Sequence, residues 1–133
     1  MVIRSFCRED EEALARIHAA NGLPSACLPD FNDPLYVVRQ VVELDGKVAL
    51  GGFIRLIGEA YLILDHSIGT PEERWQALRA LCDSVEAAAR LKGLTDYSCW
   101  VPDELAKSFA PRLKEMGFVQ SPWVCFSKVL ESE

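Results

Sequence analysis

The chain has 133 residues, half of them hydrophobic and 26% charged. That is the size and make-up of one globular domain with a buried core, and not of a disordered chain. Fourteen basic residues against twenty acidic ones leave a net charge of −6, which argues against a nucleic-acid binder or an anionic-membrane binder, since either needs a basic face. No apolar run approaches the roughly 18 residues of a membrane span, and the opening Met1-Val2-Ile3-Arg4-Ser5-Phe6 lacks the apolar stretch of a secretory signal. A cytoplasmic protein is expected. Five cysteines stand at positions 7, 27, 82, 99 and 125, with His18 and His66 as the only histidines. The number is odd and no pair has C-x-x-C spacing, so no metal is expected and the thiols read as small reduced hydrophobes.

The first predicted element is a short apolar strand over Val2–Phe6. Arg8 to Gly22 follows as a helix, with acids at its start, where the helix dipole favours them, and Asn21-Gly22 closing it as a C-cap. Leu14 and Ile17 share its apolar face. Leu23–Pro34 holds three prolines and reads as an unusually long loop, a length often tied to function. Two strands, Tyr36–Leu44 and Lys47–Ile57, flank Asp45-Gly46, a strong hairpin signal because both turn residues take positive φ. Gly51-Gly52 marks a bulge or a close backbone approach. Gly58-Glu59 makes a second turn into a third strand, Ala60–Ile68, whose middle is apolar on both faces as in a central strand.

Thr70, Pro71 and Glu73 then announce a long helix: Thr70 as N-cap, Pro71 at the first helical position and Glu73 completing a capping box. Its apolar positions recur at spacings of three and four until Lys92-Gly93. Thr95–Val101 alternates as a strand, and strand, helix and strand together predict a parallel pair with a right-handed crossover. A last helix runs from Pro102-Asp103 to Met116, kinked or restarted by Pro111, and a last strand covers Trp123–Leu130. The whole is a single domain, 1–133, of mixed α/β class: order β-α-loop-β-β-β-α-β-α-β, one mixed sheet with helices on both faces.

This order resembles the GNAT (Gcn5-related N-acetyltransferase) superfamily over nearly the whole chain. Three stretches carry the resemblance. Val2-Ile3-Arg4 with Glu11–Ile17 is similar to the family's opening strand and helix. Leu44-Asp45-Gly46-Lys47-Val48-Ala49-Leu50-Gly51-Gly52-Phe53 is similar to its "dg.ivG" hairpin, and Leu113-Lys114-Glu115-Met116-Gly117-Phe118 to its "Y-e-k-l-G-F" ending. The resemblance implies transfer of an acetyl or acyl group from acetyl-CoA to a small-molecule or protein amine, by direct attack on the thioester in a ternary complex. The donor would bind through backbone groups of the strand and helix start (Leu64, Ile68, Gly69), with Arg74 and Arg79 near its phosphates. Glu59, Asp65 or His66 would serve as base, and Tyr97 or Tyr61 as acid. Ser25, Cys27, Asp30, Asn32 and Asp33 would give the long loop, the family's acceptor-binding region, an acidic character suited to a cationic amine.

The chain also departs from the family. The glycine-rich pyrophosphate turn, Q/R-x-x-G-x-G/A, falls on Glu73-Arg74-Trp75-Gln76-Ala77-Leu78 and has no glycine. Glu72 and Glu73 put two negative charges where a pyrophosphate would sit at the helix start. The family's acid tyrosine on the last helix corresponds to Leu113, and its asparagine to Ala106. These losses support a second reading from a different class, a non-catalytic GNAT-fold module that binds a protein partner or a second copy of itself. Some phage-encoded GNAT-like virion proteins resemble the chain in lacking the glycine turn and in carrying a Leu-Lys pair on the last helix. Bland alternatives stand beside each residue: Asp65 and His66 as solvated loop, Cys99 as a structural thiol, Trp75 as core, and the arginines as solvated helix surface.

Overall fold

The computed structural model describes residues 1–130. Val2–Ser5 forms β1. A 3-10 turn over Arg8–Asp10 leads into α1, Glu11–Ala20. Tyr36–Leu44 and Lys47–Arg55 are β2 and β3, and Gly58–Ala60 is β4. Pro71–Leu91 is α2, Tyr97–Cys99 β5 and Asp103–Glu115 α3. The protein is mixed α/β. The chain divides into two units, one of Met1–Ala60 with Ala88–Ser98, the other of Tyr61–Ala87 with the chain from Cys99 onward.

In the first unit β1, β2 and β3 make an antiparallel sheet in that order. The β2–β3 turn is the expected one: Asp45 has φ 52° and Gly46 φ 71°, the pair of positive values whose twist matches that of the strands. At Gly51-Gly52 the second of the two expectations holds, and the bulge lies two residues earlier. Val42 pairs with Leu50 and Glu43 with Val48, so Ala49 is the extra residue. Gly51 is instead a close approach. A Cβ there would lie 2.8 Å from Leu14 Cδ2 and 2.8 Å from the Phe53 ring, so its bare backbone lets α1 settle on the sheet. Arg4, Val41 and Gly51 are register partners and so share one face. On that face Leu14, Phe31 and Val41 are buried, with Phe6, Leu28, Val48 and Phe53 packed around them. The Phe6, Phe31 and Phe53 rings meet at centroid distances of 4.9 to 5.7 Å, the tilted and edge contacts that aromatic quadrupoles favour.

The sheet is held to the helix start by charge. The Arg4 guanidinium grips both Asp10 oxygens at 2.8 Å and reaches Glu43 on β2 at 2.7 to 2.8 Å. The Cys7 N–H also donates to Asp10. Asp10 is the one buried charged side chain among the described residues. Arg4, and then the Cys7 N–H, hold its carboxyl well below the ordinary carboxylate range against the opposing effect of burial.

Beyond β3 the strands do not join one mixed sheet. β4 and β5 form a separate two-stranded sheet. Gly58 and Glu59, expected as a tight turn, are strand, and of the expected strand Ala60–Ile68 only Ala60 belongs to β4. A ladder cannot outrun its partner, and β5 is equally short. Tyr61 and Ile63, expected inside a central strand, are 84% and 96% exposed. Residues 123–130, expected as a last strand, form none. Pro111 does not restart α3, which is one helix over Asp103–Glu115, at the cost of the one bond its missing N–H would make. Both long helices end as their glycines require. Gly93 and Gly117 have φ of 84° and 91°, and Leu94 and Phe118 donate back to the carbonyls of Ala89 and Leu113, the closing bonds of a Schellman motif. Among the described residues no helix is long and apolar enough to cross a membrane.

Two outcomes follow. Gly51→Ala overpacks the Leu14–Phe53 contact and lowers stability by about 1–3 kcal/mol. Gly52→Ala, whose Cβ meets nothing within 4 Å, changes it by no more than about 0.5 kcal/mol; urea denaturation of both variants checks this. A carboxyl depressed in the folded state contributes stability above its unfolded value, near about 4, and loses it as pH falls toward its folded value. Thermal melts from about pH 7 to about pH 2 therefore show stability falling below about pH 4, with Asp10→Asn less stable at neutral pH and flatter on the acid side.

Candidate functional site

The start of α2 is built as its sequence dictates. The Thr70 N–H donates to Glu73 Oε2 at 2.7 Å, and the Glu73 N–H donates to Thr70 Oγ1 at 3.2 Å. Both arms of the capping box are present, and Pro71 opens the helix. The Thr70 N–H and hydroxyl hold the Glu73 carboxyl below its usual range. The helix start thus already carries an anion on one of its free N–H groups, the position where an acyl donor's pyrophosphate would be received. Gly69 makes the left-handed turn ahead of it, φ 68°, and a Cβ there would meet Glu73 Oε2 at 3.3 Å.

Arg74 reaches back onto the loop before α2. Its Nη1 donates to the carbonyls of His66, Ile68 and Gly69 at 3.1, 3.3 and 2.6 Å. Arg74 Nη1 therefore ties down the loop before α2 and brings His66, Ile68, Gly69 and Arg74 together through backbone oxygens. Asp65 belongs to the same loop, and its Oδ1 accepts the Ser67 hydroxyl at 2.6 Å and the Ser67 N–H at 2.8 Å. Those two bonds hold its carboxyl below the ordinary range. The pair is a local turn of the kind Asp forms with its own backbone, and Asp65 makes no hydrogen bond to the His66 ring. Leu64, His66 and Arg79 are exposed.

Glu59 lies on β4 and Tyr97 on β5, the two strands of the small sheet. Glu59 is exposed and Tyr97 half-buried. Trp75 is not core. It is half-buried on α2, with the Arg112 guanidinium of α3 5.4 Å from its ring centre, a cation–π contact between the two helices. The Cys82 thiol is pushed up chiefly by burial and the Cys7 thiol chiefly by its bond to Asp10, so neither is activated as a nucleophile.

The long loop is anchored to the sheet. Its Phe31 is buried. Asp33 Oδ1 accepts the Leu35 N–H at 2.9 Å, Asp33 Oδ2 accepts Arg55 Nε at 3.1 Å, and the Asp33 carbonyl accepts Arg39 Nη2 at 2.8 Å. The Leu35 N–H and then Arg55 hold the Asp33 carboxyl below its usual range. Arg55 also reaches Asp96 and Thr95, at 3.1 and 2.8 Å. Asp30 receives the Asn32 N–H at 3.0 Å. The acidic residues expected to attract a cationic amine are thus engaged in holding the loop. Reading the sequence misses Arg55 as the partner of Asp33, because a pair 22 residues apart leaves no local spacing.

Among the described residues no cluster of three or more His, Cys, Asp or Glu side chains is arranged for a metal ion. Comparison with protein-family models, with curated proteins and with solved structures finds no match.

Two substitutions test these local assignments. Thr70→Ala removes one arm of the cap and costs about 1 kcal/mol in urea denaturation. Arg55→Met releases the loop from β3, so limited proteolysis cuts within residues 23–34 faster than in the wild type, while Arg79→Met, on the exposed face of α2, leaves that rate unchanged.

Proposed function

We propose that the chain is a GNAT-like domain acting as a non-catalytic binding module that takes a protein partner or a second copy of itself, and that does not bind acetyl-CoA. One observation carries this reading: the Glu73 carboxylate sits on the Thr70 N–H at the start of α2, with Glu72 beside it. A pyrophosphate arriving there would displace a bonded carboxylate and face a second one. The missing glycines over Glu73–Leu78 and Leu113 in place of the family's tyrosine point the same way, as does Arg74, whose guanidinium is taken up by three carbonyls. We assign the protein to the cytoplasm; five unpaired thiols suit a reducing compartment.

A second reading keeps the family activity. It is a divergent N-acyltransferase moving an acetyl or acyl group from acyl-CoA to an amine, with Glu59, Asp65 or His66 as base and Tyr97 as acid. Gly69 favours it, because its left-handed turn ahead of α2 is the kind of backbone an anion can approach closely.

Calorimetric titration with acetyl-CoA, with free CoA alongside, separates the two. The binding-module reading expects no heat and no thermal shift at millimolar ligand. A micromolar Kd, about −8 kcal/mol, overturns it and restores the transferase, with acceptor amines screened next.

A further inference from the structure

We draw no further inference here: the strongest candidate, the run of exposed apolar side chains between Val119 and Leu130 at the C-terminal end of the second unit, is an unpartnered surface, and nothing in the structure shows what covers it.

Discussion

The Arg4–Asp10 pair is the constraint on which the first unit rests. A carboxylate taken out of water is costly unless it is paired and hydrogen-bonded. Asp10 meets that condition through a two-pronged guanidinium and a backbone N–H, the strong form of such a contact. Arg4 is fixed by its place in β1 opposite Val41, and it grips Glu43 on β2 with the same head group. One guanidinium therefore sets the start of α1 against two strands. Leu14 follows one helical turn after Asp10, on the same face, and that face meets Gly51, the position that leaves room for it. Charge and packing select the same register, which is how a small core of Leu14, Phe31 and Val41 specifies a single arrangement.

Arg55 does for the loop what Arg4 does for the helix. It joins Asp33 to Asp96 across 63 residues of chain, and Phe31 inserts from the same loop into the aromatic cluster. A loop of this length usually carries function or is disordered, and its only regular piece among the described residues is a 3-10 turn over Ser25–Cys27. Here its polar residues serve to hold it. Acidic composition alone therefore does not make an amine site: Asp33 is paired with Arg55, and Asp30 caps the Asn32 N–H.

The start of α2 shows how one local solution displaces another. A helix N-terminus has unpaired N–H groups that must be satisfied. A nucleotide-binding turn leaves them for phosphate and uses glycine to let it approach. This chain satisfies them from its own sequence through the Thr70–Glu73 box and stabilises the preceding loop with Arg74. The two solutions compete for the same donors, and that competition underlies the preference for a binding module over a transferase.

What could be read from the chain was whatever short range decides. The Asp45-Gly46 turn, the cap at Thr70 and Glu73 and the glycine stops at 22, 93 and 117 each depend on a backbone conformation or a bond within a few residues, so residue type and spacing suffice. The extent of β2 follows from its residue pattern, while α1 and β3 lie within their expected ranges and are shorter. The tertiary structure alone decided what depends on residues distant in the chain. It joined Arg4 to Glu43 and Asp33 to Arg55, chose the close approach over the bulge at Gly51, and left residues 61–68 outside the small sheet. The reason is geometric: a side chain's identity lists the partners it can take, and only the path of the whole chain brings one of them within about 3 Å.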